Sequence, residues 1–365
     1  MSAYERSGVD YGVLDAAKRR SLDAVAASLG APKDRGASVV EASLGEPAQL
    51  LEVDGIVLST VLECLGTKSV IAREVEEHLG LDCWEAIGVD LVAAAVNDLA
   101  CPGALPLALG CYVATGDASF YEGGRHASFV KGFADACAKC GAAWVGGESP
   151  GLRDVVLPGA VDLAAFALGR LPSTAEPWGP ERLAPGDRIV LLASSGLHTN
   201  GASLARSVAG SLEQGWHTPL ASGALYGEAV LSPSVLYPPL VAALHEDGLG
   251  RAVHYASHLT GHGLRKLMRA DRELCYRLHD LPPVPEVLEF VTASAAMGDR
   301  EAYATFNMGA GFALYVEPGA ARAVSSFATA AGYGATLAGE VTAGERAVVL
   351  EPLEITYRSE ELALR

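Results

Sequence analysis

Two mixed α/β domains are the architecture that this sequence predicts, on three observations. The chain has 365 residues, half of them apolar, which is past the length at which one hydrophobic core stops growing and a second domain becomes the expectation. Short apolar runs that read as strands alternate with Ala-rich amphipathic stretches, and the same grammar occurs in both halves. Between the halves lies a polar stretch with little apolar periodicity, punctuated by Pro172, Pro177, Gly179, Pro180, Pro185 and Gly186. The expected division is therefore residues 1–171, a linker at 172–186, and residues 187–365.

Residues 1–55 are less regular than the rest. The run Ile56-Val57-Leu58 predicts a strand, residues 86–99 an Ala-rich amphipathic helix, and Leu107-Ala108-Leu109-Gly110-Cys111-Tyr112-Val113 a second strand. In the second half, Arg188-Ile189-Val190-Leu191-Leu192 predicts a strand, residues 201–208 the start of a helix, and Gly311-Phe312-Ala313-Leu314-Tyr315-Val316 a further strand. The sequence shows neither a short tandem repeat nor a low-complexity tract.

Charge and cysteine content narrow the function classes. Asp and Glu number 44 against 27 for Lys and Arg, a net charge of −17, so the long-range field that attracts nucleic acid is absent and nucleic acid is not an expected partner. Small anions stay admissible, because a metal ion and a few local cations invert the sign of a pocket. The first residues lack the apolar core of a secretory signal and no apolar run is long enough to span a bilayer, so no membrane partner and a cytoplasmic location are expected. Seven cysteines scattered through Ala- and Val-rich segments fit a reducing compartment. Cys137 and Cys140 form a C-x-x-C inside a helical stretch without a second ligand pair, which reads as small residues in a helix.

Five segments combine glycine, which lets a backbone approach a ligand, with polar groups at the ends of predicted elements. Glu63-Cys64-Leu65-Gly66-Thr67-Lys68 offers a carboxylate, a tight turn, a hydroxyl and an ammonium after a strand. It resembles a phosphate-handling loop but is not a Walker A loop, because Lys68 does not directly follow Gly66 and no second glycine stands at the required spacing upstream. Asn97 and Asp98 sit in the last turn of a helix stopped by Pro102 and Gly103. A carboxylate at the negative end of a helix is unfavourable without a cation, which makes Asp98 a candidate Mg²⁺ ligand; an ordinary exposed Asp is the alternative. Gly146-Gly147-Glu148 follows a short apolar strand and could admit phosphate or metal, or be a plain turn.

The fourth segment, Ser194-Ser195-Gly196-Leu197-His198-Thr199-Asn200-Gly201, joins a strand to a helix start, where unpaired N–H groups bind anions. His198 is placed there for substrate binding or proton transfer. No serine nucleophile is implied, since G-x-S-x-G does not occur in it. The fifth comprises His258-Leu259-Thr260-Gly261-His262-Gly263 and Thr305-Phe306-Asn307-Met308-Gly309-Ala310-Gly311, without the further Cys or His that a zinc site needs.

Taken in this order, the motifs resemble those of aminoimidazole ribonucleotide synthetase, also called phosphoribosylformylglycinamidine cyclo-ligase, over nearly the whole chain. The resemblance opens with Tyr4-Glu5-Arg6-Ser7-Gly8-Val9-Asp10. It continues through Ile87-Gly88-Val89-Asp90, Asn97-Asp98-Leu99, Gly146-Gly147-Glu148, Ser194 to Gly201, His258-Leu259-Thr260-Gly261 and Thr305-Phe306-Asn307. It implies two α/β domains, with amino-terminal strands combined into a shared barrel in a homodimer. It implies ATP and Mg²⁺ as cofactors, with Glu63, Asp98 and Glu148 around the metal and triphosphate. Gly66, Thr67, Lys68, Asn97, Gly146, Gly147 and Asn200 would bind the nucleotide, and His198, Asp98 and Lys18 would act at the reacting centre. The implied substrate is formylglycinamidine ribonucleotide or a related phosphorylated small molecule.

The sequence departs from the family pattern in places. Glu63-Cys64-Leu65 stands where Asp-Gly-Val is common, so the carboxylate reaches farther by about 1.5 Å. Ser149-Pro150-Gly151 and His262 also differ from the usual residues. Superfamily members with other acceptors fit less well: the first cysteine is Cys64, not an amino-terminal reactive one, and the chain closes on Glu361-Leu362-Ala363-Leu364-Arg365 without a cysteine. A catalytically silent nucleotide-binding paralogue is the reading from a different class.

Overall fold

A computed structural model describes residues 17, 20, 21, 24–173 and 175–362. The first unit contains strands β1 (Ala37–Val39), β2 (Gln49–Val53), β3 (Ile56–Cys64), β4 (Leu105–Thr115), β5 (Ala143–Glu148) and β6 (Val161–Arg170). Helices α1 (Lys68–Leu79), α2 (Trp84–Leu99) and α3 (Arg125–Lys139) accompany them. The strands form one sheet in the order β1-β2-β3-β6-β4-β5, antiparallel except for the β4–β5 pair.

Burial along β6 alternates at every residue, with Val161, Leu163, Ala165, Ala167 and Gly169 buried, the period-2 pattern of a sheet covered on one face. The covering helix is α2, whose run from Leu91 to Leu99 is buried throughout. Packed on every side, this run is apolar except for Asn97 and Asp98. The opposite face of the sheet is exposed, with Leu62, Leu107 and Phe166 open to solvent.

The second unit holds β7 (Arg188–Ala193), β8 (Val253–His258), β9 (Leu274–Leu278), β10 (Ala310–Val316), β11 (Ala335–Ala343), β12 (Ala347–Leu350) and β13 (Ile355–Arg358), in the order β13-β12-β9-β11-β7-β10-β8. Its helices are α4 (Ala202–Ser211), α5 (Tyr226–Val230), α6 (Pro238–Asp247), α7 (Glu286–Ser294), α8 (Asp299–Thr305) and α9 (Ala321–Ala330). All seven residues of β10 are buried, as expected of a strand flanked by β7 and β8 and covered on both faces. One apolar cluster runs from Val61 and Leu91 in the first unit to Leu191 and Phe306 in the second, so the two units share a core.

The strand and helix expectations at 56–58, 86–99, 107–113, 188–192 and 311–316 fall on β3, α2, β4, β7 and β10. The expected barrel is corrected. Among the described residues neither sheet closes on itself: the first ends at the free edges β1 and β5, and the second at β13 and β8. Closure needs the first strand to pair with the last, and the register contains no such pair. Among the described residues no helix is long and apolar enough to cross a membrane.

Candidate active site

Four segments far apart in sequence converge on one cavity of about 200 Å³. The pleat of β3 carries Glu63 onto the helix-covered face with Val61 while Leu62 faces out. On α2, Asp90, Ala94 and Asp98 recur every four residues and so share a face; Ala94 and Asp98 reach the cavity. The turn after β7 contributes Thr199 and Asn200, and the turn after β8 contributes Thr260 and Gly261. Asn200 is anchored by its Nδ2 donating to the Thr305 carbonyl at 3.1 Å.

The acidic wall of this cavity is backed by cations. His258 Nδ1 lies 2.7 Å from Asp98 Oδ1, both side chains buried. Burial alone would raise the Asp98 carboxyl, but the His258 hydrogen bond and the charges of His258, Lys266 and Arg269 outweigh it and hold the group below its ordinary value. An ionised carboxylate only accepts, so Nδ1 carries the proton. His258 Nε2 is buried with no hydrogen-bond partner among the described residues. Behind the same wall, Lys266 donates to Thr260 Oγ1. Burial pushes this lysine down to about 8, Arg269 adds to the effect, and Asp98 and Glu63 oppose it.

His198 occupies left-handed backbone at φ 56°. Its Nε2 accepts from the backbone N–H groups of Ser195 (3.2 Å) and Val235 (3.4 Å), so the ring proton is assigned to Nδ1, which is buried without a partner among the described residues. Burial, then the charges of His258 and Lys68, push this imidazole well below its ordinary value. His198 is therefore neutral at physiological pH, with its accepting nitrogen engaged by its own loop and the 233–235 turn.

Two residues expected against nucleotide are engaged inside the protein. Lys68 and Asp90 form an ion pair of 2.6 Å with both side chains at 0% exposure. Lys68 also donates to the carbonyls of His198 (2.7 Å) and Ser232 (3.4 Å), which uses all three donors of an ammonium. Asp90 Oδ1 accepts from the N–H (2.8 Å) and hydroxyl (2.6 Å) of Ser234. Asn97 donates to the Val235 carbonyl (2.9 Å) and accepts from the Tyr237 N–H (3.0 Å). These contacts fasten α1 and α2 to the 232–237 segment of the second unit. Gly66 is exposed, and the Thr67 hydroxyl meets that of Ser203 at 2.9 Å.

Glu148 does not join Glu63 and Asp98. The register aligns Glu63 with Ala165, Ala165 with Cys111, and Cys111 with Gly147, three strand spacings or about 14 Å. Glu148 follows Gly147 and pairs with Tyr112, so its side chain lies on the opposite face of the sheet. Gly147 has a packing reason to be glycine: a Cβ there would sit 1.7 Å from the Cys111 carbonyl oxygen. Gly146, beside it, is exposed with open space around its α-carbon. Among the described residues no three of His, Cys, Asp and Glu gather as a metal cage. Lys18 and the segment Tyr4 to Asp10 lie outside the described residues. The residues that sequence reasoning did not single out are Asp90 as the partner of Lys68, Thr199 in the wall, and Lys266, a basic residue eight positions after His258 with no acid beside it in sequence.

The chain has relatives along most of its length. Residues 45–171 match a family model described as AIR synthase related protein, N-terminal domain, and residues 184–351 match the C-terminal domain of the same description. It is 30% identical to phosphoribosylformylglycinamidine cyclo-ligase of Lachnospira eligens over 351 residues, covering 95% of this chain and 99% of that protein. To the protein of that name from Sorangium cellulosum it is 34% identical over 355 residues, covering 93% and 94%. Among solved structures, a HypE–HypF complex aligns with a TM-score of 0.62 at 18% identity, over 86% of this chain and 92% of that one. AaThiL complexed with AMPPCP and TMP aligns with 0.58 at 15% identity, over 86% and 90%. At these identities the structural likeness is one of fold.

Proposed function

Because the chain belongs to the AIR synthase related family, we propose that it is an ATP-dependent cyclo-ligase that converts formylglycinamidine ribonucleotide to aminoimidazole ribonucleotide, ADP and phosphate. One observation carries the reading beyond membership: Glu63, Asp98, Asn200 and Thr260, from four distant segments, line one cavity. ATP and Mg²⁺ are the cofactors we assign to it.

The donor set fits that ion. Magnesium takes hard oxygen ligands, usually one or two carboxylates completed by substrate phosphates and water, and Glu63 and Asp98 supply two carboxylates with Asn200 and Thr199 beside them. Bound there, magnesium would neutralise the triphosphate and lower the barrier to phosphoryl transfer.

The rest of the chemistry asks for positioning. In the proposed reaction the formyl amide oxygen takes the γ-phosphoryl group of ATP. The amidine nitrogen then closes the ring on that carbon, and phosphate leaves with the oxygen. Asn200, fixed on Thr305 and lining the cavity, is placed to orient the nucleotide or the acceptor. Asp98 is kept ionised by His258 and so stays competent to hold a cation at neutral pH. His198, neutral and tied to Ser195 and Val235, shapes the turn that presents Thr199 and Asn200.

The product assay tests the reading: purified protein with Mg-ATP and formylglycinamidine ribonucleotide is expected to release aminoimidazole ribonucleotide and ADP in equal amounts. If ATP raises the melting temperature while neither product forms, the protein is a nucleotide binder and the cyclo-ligase reading fails. ADP released only with a different acceptor would favour a superfamily enzyme of other specificity, a reading supported by the longer Glu63 and the placement of Glu148 outside the cavity.

A further inference from the structure

We propose that Lys266 is a phosphate-binding residue of this site, a tethered cation held on Thr260 behind the wall of the Glu63–Asp98 cavity. The inference rests on the ATP-dependent reading above and adds a residue to it. Three basic side chains, Arg265, Lys266 and Arg269, leave the same short 3₁₀ segment, Gly263–Met268, and its end. Arg265 is directed away, onto the carbonyls of Ala304 (2.8 Å) and Glu361 (2.6 Å). Arg269 holds the Gly45 carbonyl at 2.9 Å and approaches Glu46 at 3.8 Å.

Lys266 alone of the three hydrogen-bonds a residue that lines the cavity, donating to Thr260 Oγ1. Its backbone is fixed by its carbonyl accepting from the Ser257 hydroxyl (3.2 Å) and the Arg269 N–H (3.0 Å). The side chain is 7% exposed, and a buried ammonium without a purpose is strongly disfavoured. Of its three donors, the hydrogen bond to the neutral Thr260 hydroxyl uses one. Both Asp98 and Glu63 act on its charge, but neither forms an ion pair with it within 4 Å among the contacts described. A cation so placed favours an oxyanion entering between the carboxylates, and the anion that the proposed reaction brings there is a phosphate group.

The test compares wild type, Lys266→Met, Lys266→Arg and Thr260→Val. Steady-state turnover with Mg-ATP and formylglycinamidine ribonucleotide is read per nucleotide-binding site titrated by calorimetry, so misfolded protein does not count. Loss of one charged donor to a transferred group is expected to lower kcat about 100-fold, with Lys266→Arg recovering at least a tenth of the wild-type value and Thr260→Val lying between. A merely structural role would reduce the number of sites and leave turnover per site unchanged. If wild type turns over and Lys266→Met stays within twofold of it per site, the inference is overturned while the cyclo-ligase reading stands. Should Lys266→Met not fold, Thr260→Val within twofold of wild type overturns it equally. If wild type itself neither binds ATP nor turns over, both fall together.

Discussion

Replacing Lys68 with methionine, close in volume but uncharged, removes one partner of an ion pair whose side chains are both at 0% exposure. Removing one partner of a buried pair costs about 3–5 kcal/mol, because the other charge stays buried and unpaired. The carbonyls of His198 and Ser232 lose a donor as well, at about 1–3 kcal/mol for an acceptor left unsatisfied. Part of this loss is relieved by protonation. Burial already raises the Asp90 carboxyl even with Lys68 opposing it, and without the lysine only Ser234 still favours the ionised form. A carboxyl whose folded value lies above its unfolded value binds more protons in the folded state. Its stabilisation is then complete below the unfolded value and lost as pH rises through the folded one. Urea unfolding of Lys68→Met should therefore show a loss of about 3 kcal/mol or more at pH 8 and a smaller loss at pH 5. The double variant Lys68→Met with Asp90→Asn should be less destabilised at pH 8 than the sum of the singles, as expected for groups in contact. A loss under about 1 kcal/mol at both pH values, coupled to lost ATP affinity, would refute this reasoning and return Lys68 to the nucleotide site.

Two further outcomes follow from the buried imidazole and the buried carboxylate. His198 has a folded value well below 6.5, so as pH falls through 6.5 the unfolded chain takes up a proton that the folded chain refuses, and stability drops. Urea melts between pH 7 and pH 5 should have a shallower pH slope for His198→Gln than for wild type, whereas identical slopes would show that the ring titrates freely. Asp98→Asn removes a carboxylate from the cavity and the charge that meets His258; ADP release measured against magnesium concentration should fall about 100-fold, and unchanged turnover would remove Asp98 from the proposed ligand set.

Much of this architecture is legible in sequence because its signals are local. The apolar run at 188–192 and the Ala-rich stretch at 86–99 declare a strand and a helix without reference to anything distant. Glu63, Asp98, Asn200 and the turn after His258, which meet at one cavity, are legible as candidates because each ends an element where glycine or a turn frees the backbone. What the sequence hides is pairing. Lys68 resembles a phosphate ligand until Asp90 is found 2.6 Å away and the His198 carbonyl, 130 residues on, is seen to accept from it. Glu148 looks equivalent to Glu63, yet strand order and pleat set it three strands off and on the other face. The barrel expectation failed for the same reason, since closure depends on which strands become neighbours. Lys266 carries no local signature; its meaning comes from the Thr260 hydroxyl and two carboxylates contributed by β3 and α2.

The claim that the amide oxygen is activated by phosphoryl transfer has a direct measurement. Formylglycinamidine ribonucleotide labelled with ¹⁸O in its formyl amide is turned over with Mg-ATP, and the released phosphate is analysed by mass spectrometry. One labelled oxygen in each phosphate, formed in step with aminoimidazole ribonucleotide and ADP, is the predicted result. Phosphate without the label, or ADP formed without ring closure, would contradict it.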